Sequence, residues 1–264
     1  MAHVEQRKFV SLMVEHFIGR HTSNIKVLEI GSYVVNLSVR DFFASDCEYL
    51  GVDLVAGPGV DLVGSGHEVD LPDASFDVVI SCEAFEHNPY WVETFRNMYR
   101  MTQPGGIVGL TCASRGRVEH GTMRSETGAS PGTEHVGIDY YMNLNANDFK
   151  KAFKLDEMFE RYFFHYLSTN HDLYFFGLKK GDSQFVGDVE MLKADVHEIW
   201  KLSPHVTLPL LHRMMGALYR LPITASAYLF SDRTFQNFRF RYLRISEPLK
   251  VGIKNIFRLS IQII

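Results

Sequence analysis

The chain has 264 residues, enough to bury a full hydrophobic core with length left over for an extension. A formal charge of −4, with 22% charged and 46% hydrophobic residues, is ordinary for a globular protein and argues against nucleic acid as a partner, since such partners demand a basic face. Cys47, Cys82 and Cys112 are too scattered for a disulfide framework or a zinc motif, and the N-terminus lacks the apolar core of a signal peptide. No stretch reaches the ~20 apolar residues of a membrane span, so a protein of the reducing cytoplasm is expected.

In chain order, Val4 to Arg20 reads as a helix, with Phe9, Leu12, Met13, His16 and Phe17 on one face. Gly19 and His21-Thr-Ser-Asn24 stop it. Val27 to Ile30 is a short strand, and Gly31 to Asn36 a loop. A helix is expected near Leu37–Ala44, capped by Asn36 or Ser38. Tyr49–Leu54 is the second strand and Val60–Val63 the third. Phe76–Ser81 is an unbroken apolar run, as in a parallel strand covered on both faces.

Pro89 suits the first turn of a helix that runs through Trp91 to Met101 and is ended by Pro104-Gly105-Gly106. Ile107–Thr111 is the fifth strand. Asn147 is expected to cap a further helix carrying Phe149, Ala152 and Phe153. Arg161–Leu167 and Leu173–Lys179 form an antiparallel hairpin about residues 168–172. Strands alternating with helices imply a parallel sheet. The break at Gly181-Asp182-Ser183 divides the chain into an N-terminal helix (1–24), an α/β domain (25–180) and a helical C-terminal extension (181–264).

Three segments carry chemistry. They are Lys26-Val-Leu-Glu-Ile-Gly31-Ser32, Tyr49-Leu-Gly-Val-Asp53, and Leu71-Pro-Asp-Ala-Ser-Phe-Asp77-Val-Val-Ile-Ser-Cys-Glu83. A glycine after a strand lets the backbone approach a ligand, and an acid ending the second strand can accept ribose hydroxyls. Together the segments resemble the cofactor site of class I S-adenosylmethionine (SAM)-dependent methyltransferases, in particular the type 11-like group, over about Ile25 to Lys180.

The resemblance implies a doubly wound, seven-stranded, mostly parallel sheet with the hairpin inserting one antiparallel strand. It implies SAM as cofactor, held by Glu29, Gly31, Ser32, Asp53, Leu54, Ser65, Gly66, His67, Cys82 and Glu83. The chain departs from the family pattern at Tyr33 and Val35, where glycines are usual, and at Ser65, where an aspartate is. His67 is the expected substitute for that aspartate at the adenine.

Ser81-Cys-Glu-Ala-Phe-Glu86-His87 resembles the Glu-His segment that lies beside the methyl group in many small-molecule methyltransferases. A histidine there can take a proton near neutral pH, and His120 and His135 are its rivals as base. The long segment from Ser114 to Tyr141 follows the fifth strand, where ligands of open α/β sheets bind, and reads as a substrate lid. Its Arg117, Arg124, Tyr140 and Tyr141 are the candidate acceptor-binding residues. They suit a sugar, a glycan precursor or a similar polyhydroxylated small molecule as the acceptor of an O-methyltransferase. The alternatives are a phenolic or quinone acceptor, or a SAM-binding scaffold without turnover. Glu119, His120, Glu134, His135 and Asp139 match no metal motif, so no metal is expected. Leu249 to Ile264 is amphipathic and basic if helical. It would lie on an anionic membrane surface, pack on its own domain, or join a homodimer through the C-terminal helices.

Overall fold

The computed structural model describes residues 3–19, 25–125, 127–203 and 210–257. Helix α1 (Val4–Met13) runs on as a π-helical turn (Val14–Ile18) and leads to β1 (Lys26–Ile30), β2 (Glu48–Asp53), β3 (Leu62–Val63) and β4 (Phe76–Cys82). Then come α2 (Trp91–Met101), β5 (Thr102–Ala113), α3 (Pro131–His135), α4 (Ala146–Ala152), α5 (Leu155–Met158), β6 (Phe159–Leu167) and β7 (Asp172–Lys179). Three helices follow: α6 (Val189–His197), α7 (Leu210–Leu229) and α8 (Asp232–Phe257).

The strands form one seven-stranded sheet in the order β3-β2-β1-β4-β5-β7-β6. The β1–β2, β1–β4, β2–β3 and β4–β5 pairs are parallel, and β7 is antiparallel to both of its neighbours. The apolar run of β4 is apolar throughout because both faces are covered. Side chains alternate across a strand, so Val78 and Ile80 enter a core layer with Phe9, Met13 and Phe17, while Val79 enters the opposite layer with Phe95, Met98 and Phe149. Phe185, Val189, Leu192, Val196 and Ile199 pack in the first of these layers, so the segment after the hairpin helps cover the sheet.

Four local expectations are corrected. In place of a helix over residues 37–44 there is a single 3-10 turn, Arg40–Phe42. The β-branched Val34 and Val35 ahead of it favour extended backbone. Val34 N–H donates to the Pro58 carbonyl, and the Arg40 guanidinium is drawn to Asp61 and the Tyr49 carbonyl. Pro89 lies just ahead of α2, whose first residue is Trp91. Asn88 orders this entry by accepting from Tyr90 N–H and donating to Thr94 Oγ1.

Pro104-Gly105-Gly106 does not end α2. It lies within β5, at a register shift between the Phe76–Thr102 and Val78–Ile107 pairs. Gly105, at φ +72°, lies so near the Asp182 carbonyl that a Cβ would come within 2.2 Å of it. The cap of α4 is Asn145, in a reciprocal pair with Asp148, rather than Asn147.

α7 and α8 form a helical hairpin in which Tyr242 Oη donates to the Tyr219 carbonyl. Among the described residues, no helix is long and apolar enough to cross a membrane. Residues 258–264, the end of the expected amphipathic segment, and His21 to Asn24 lie outside the described residues.

Candidate active site

The carboxyl ends of β1, β2 and β4 open onto a cavity of about 140 Å³. At its floor Gly31 has φ +81°, and a Cβ there would lie 2.5 Å from Ala84 Cβ, so only glycine fits. Gly31 and Ser32 both donate their amides to the Val52 carbonyl, which folds the chain sharply after β1. Tyr33 occupies the place of the usual second glycine. Its ring lies over Gly57, where a Cβ would come within 2.2 Å of it, and its amide donates to Asp53 Oδ2 at 2.9 Å. Asp53 Oδ1 also accepts from Leu54 N–H at 2.7 Å. Burial raises the Asp53 pKa, opposed by hydrogen bonds from these amides.

Glu29 is 6% exposed and accepts from Tyr49 Oη at 2.6 Å. Burial pushes its carboxyl up to about 7. On the opposite wall Ser65 Oγ and His67 Nδ1 share a hydrogen bond at 2.5 Å, and the His67 ring stacks on Tyr90 with centroids 4.1 Å apart. Gly66 is pressed against Ile30, whose Cγ2 would be 2.6 Å from an added Cβ. Glu29, Gly31, Ser32, Asp53, Leu54, Ser65, Gly66, His67, Cys82 and Glu83 all line this one cavity, and so does His87.

The segment after β5 closes the cavity from above with Ala129, Ser130, Pro131, Gly132, Thr133 and Ile138. A Cβ on Gly132 would lie 2.8 Å from Asp53 Oδ1, so the backbone of this segment rests directly on the β2 acid. The other lid candidates point elsewhere. Arg117 reaches Asp172 and donates to the Asn170 carbonyl. Arg124 is tied to Glu119 and donates to Asn237 of α8. Tyr140 Oη donates to Met142 Sδ, and Tyr141 Oη to the Val118 carbonyl. None of these four lines the cavity, and His135 is exposed and also absent from its walls. The lid is held from outside by α8. Gln236 accepts from Glu119 N–H and donates to the Arg117 carbonyl, and Asp232 accepts from Asn143.

Behind the cavity wall is a buried polar cluster. The His87 and His120 rings are nearly perpendicular with centroids 5.0 Å apart, and Tyr141 lies 5.5 Å from His87. Burial, and then the neighbouring His120, push His87 down to about 3, so it is a neutral imidazole through the physiological range and not a base tuned to neutrality. Among the described residues Glu86 pairs with no arginine; its Oε1 lies 3.8 Å from His120 Nε2. A second buried group joins α1 to the hairpin: His3 Nε2 is 2.7 Å from Asp172 Oδ2 and 4.0 Å from Glu83. His3, Gln6 and Asp172 have no signal in their own neighbourhoods. They meet the site only because α1 and the hairpin fold back onto the ends of the strands.

The sheet order, with a glycine turn after β1 and a half-buried acid ending β2, is that of a doubly wound α/β domain whose strands open onto one cavity at their carboxyl ends. Residues 26–110 match the family described as "Methyltransferase domain". No curated protein matches the sequence significantly. Among solved structures, the chain is similar to the CurJ carbon methyltransferase, at 14% identity and a TM-score of 0.43, over 61% of this chain and 50% of that one. It is similar to phosphoethanolamine N-methyltransferase 2 of Haemonchus contortus bound to SAM, at 16% identity and a TM-score of 0.47, over 66% of this chain and 52% of that one. It is also similar to 1,6-didemethyltoxoflavin-N1-methyltransferase of Burkholderia thailandensis, at 14% identity and a TM-score of 0.46, over 67% and 79%. The chain spans about half the length of the first two.

SAM is the cofactor that the matched methyltransferase model implies, and the residues lining the cavity suit it. The Gly31 cradle has no room for a side chain, and among the described residues Ser32 Oγ and both Glu83 carboxylate oxygens are buried without a hydrogen-bond partner.

Proposed function

We propose that the chain transfers the methyl group of SAM to a hydroxyl oxygen of a sugar, a glycan precursor or a similar polyhydroxylated small molecule. Asp53 would hold the ribose hydroxyls, the Glu29–Gly31–Ser32 turn the amino-acid end, and Ser65, Gly66 and His67 the adenine edge, with Leu54, Cys82 and Glu83 completing the walls. When bound, SAM supplies a sulfonium-activated methyl group. The protein's part is then to align an acceptor oxygen about 3 Å from that carbon and to exclude water. The segment 129–138 does the excluding, since it already rests on Asp53.

One observation carries the choice of a hydroxylated acceptor. His87 lines the cavity with both ring nitrogens buried and unpaired, and behind it the wall is polar, made of Glu86, His120 and Tyr141. A buried polar wall penalises an apolar ligand and favours one that brings its own hydrogen-bonding groups.

Incubation with labelled SAM and a panel of sugars, phenols and carboxylic acids tests the reading. Label is expected on the sugar class, as an ether. Label confined to phenols would sink the sugar assignment. Tight binding of the product S-adenosylhomocysteine, with no transfer to any fraction of a cell extract, would leave a scaffold.

A further inference from the structure

We propose that Glu86, His87 and His120 form a binding site for one divalent transition-metal ion of the Zn²⁺, Mn²⁺, Fe²⁺ or Co²⁺ kind, at the acceptor end of the cavity. One ligand atom from each of these residues lies within 4.8 Å of the other two. All three side chains are withdrawn from water: Glu86 is 0% and His87 3% exposed, and the His120 side chain 15%. Among the described residues, neither carboxylate oxygen of Glu86, neither nitrogen of His87, nor Nε2 of His120 has a hydrogen-bond partner. Buried polar atoms are nearly always paired, and an isolated buried carboxylate costs several kcal/mol, so a cluster of five such atoms needs a physical cause.

The orientation of His120 supplies one. Its Nδ1 lies 2.9 Å from the Val118 carbonyl, an acceptor only, so Nδ1 carries the hydrogen and donates it. In the neutral ring Nε2 is then a bare lone pair, and it faces Glu86 Oε1 at 3.8 Å. Two acceptors so placed repel unless a proton on Glu86 or a cation comes between. An imidazole that donates one N–H to a backbone carbonyl and presents the other nitrogen inward is also how metal-binding histidines are held.

Two imidazoles and one carboxylate are the donor set that first-row divalent ions prefer over Mg²⁺ or Ca²⁺. Metal bonds of about 2.0–2.2 Å require the three side chains to close in by about 1 Å. Tyr141 and the lid backbone at Gly121 pack on His87, so the lid forms part of the site. The second buried cluster, His3, Glu83 and Asp172, also holds unpartnered atoms but is less suited, because a metal there would have to displace the 2.7 Å ion pair between His3 and Asp172.

Three protein ligands leave coordination positions open. Since His87 lines the cavity, an ion there would stand where two neighbouring hydroxyls of the acceptor could bind it; this role rests on the methyl-transfer reading above, whereas the site itself rests on geometry alone.

The test is titration of the full chain with Co²⁺, followed by its visible absorption, and with Zn²⁺ by calorimetry. One equivalent is expected, with ligand-field bands of low-symmetry Co²⁺. Glu86→Gln, which keeps size and removes charge, and His120→Ala should each weaken uptake at least ~100-fold, while His3→Ala leaves it unchanged. Circular dichroism verifies that each variant is folded, and S-adenosylhomocysteine affinity measured on the same samples reports on the cofactor reading separately. Metal uptake without cofactor binding would support this site and overturn that reading. No stoichiometric uptake by the folded wild-type chain would overturn the proposal, as would uptake indifferent to Glu86→Gln or lost instead with His3→Ala.

Discussion

His3 and Asp172, from the cap of the first helix and the start of the last strand, are joined by a 2.7 Å contact on a carboxylate that is wholly buried. His3 also caps α1, with Nδ1 3.3 Å from the Gln6 amide nitrogen and 3.3 Å from Glu5. The pair ties α1 to the hairpin at the edge of the candidate active site, beside Glu83. Burial works against the charge on His3, but hydrogen bonds to Asp172 and Glu5 and the charge of Glu83 outweigh it and raise its pKa to about 10.

That shift makes stability depend on pH. Above 6.5 the unfolded chain gives up the His3 proton while the folded chain keeps it. The contribution is therefore complete below about 6.5 and declines as pH rises to about 10. His3→Ala should lower stability at pH 6 by about 2–4 kcal/mol, because it strands a buried carboxylate, and should flatten this decline. Urea midpoints at pH 6, 8 and 10 measure both effects. An unchanged slope would mean that another group carries the titration.

Glu29 acts in a neighbouring window. Burial holds its folded pKa near 7 against 4.5 when unfolded, so the native state retains a proton that the unfolded state releases, and stability falls as pH rises from about 4.5 through 7. Glu29→Gln should remove this loss, gaining up to about 3 kcal/mol in the free protein at pH 8. If Glu29 serves the amino-acid end of the cofactor, the same change weakens SAM binding. Melting curves with and without S-adenosylhomocysteine separate the two. A destabilised free protein would show that the bond from Tyr49 matters more than the burial of charge.

Asp53→Ala should weaken SAM affinity by about 1.5–3 kcal/mol, roughly ten- to a hundredfold, as expected for lost hydrogen bonds to a charged acceptor. Asp53 also anchors Tyr33 N–H and Leu54 N–H, so the turn after β1 should loosen as well. Calorimetry with S-adenosylhomocysteine is the measurement, and full affinity in a folded variant would make Asp53 purely a turn residue.

Gly31→Ala places a methyl group 2.5 Å from Ala84 Cβ on a backbone at φ +81°. Strain at such a position costs of order 1–3 kcal/mol before the clash is counted. Loss of stability together with loss of cofactor binding is expected. Wild-type values for both would mean that the turn can relax freely.

His87→Ala should lower kcat with SAM affinity nearly intact, because the ring lines the cavity. His135→Ala should leave the rate unchanged, since His135 is exposed and outside the cavity. Single-turnover rates on one acceptor compare them. The reverse ranking would move the chemistry to the lid.

Much of this was legible along the chain. The apolar runs at Val27–Ile30 and Phe76–Ser81 are local consequences of strands covered on both faces, and Gly31 and Asp53 end strands whose register follows from them. These features depend on near neighbours and on the period of the backbone, so the sequence alone determined the sheet and which residues line the cavity at its carboxyl edge. The helix expected over residues 37–44 failed because its outcome rests on remote partners. Pro58, Asp61 and the Tyr49 carbonyl claim Val34 and Arg40 for a loop. The segment after β5 does cover the cavity, but its arginines turn elsewhere for the same reason: Arg117 and Arg124 have the chemistry of anion binders, and Asp172 and Glu119 engage them instead.

The buried set of Glu86, His87 and His120 was the decision of the tertiary structure alone. Glu86 and His87 follow β4, and His120 arrives after β5 on a segment pinned by Gln236 and Asp232 of α8. No spacing in the chain encodes that meeting. It arises because α8 holds the lid down, withdrawing from water three side chains that water would otherwise satisfy.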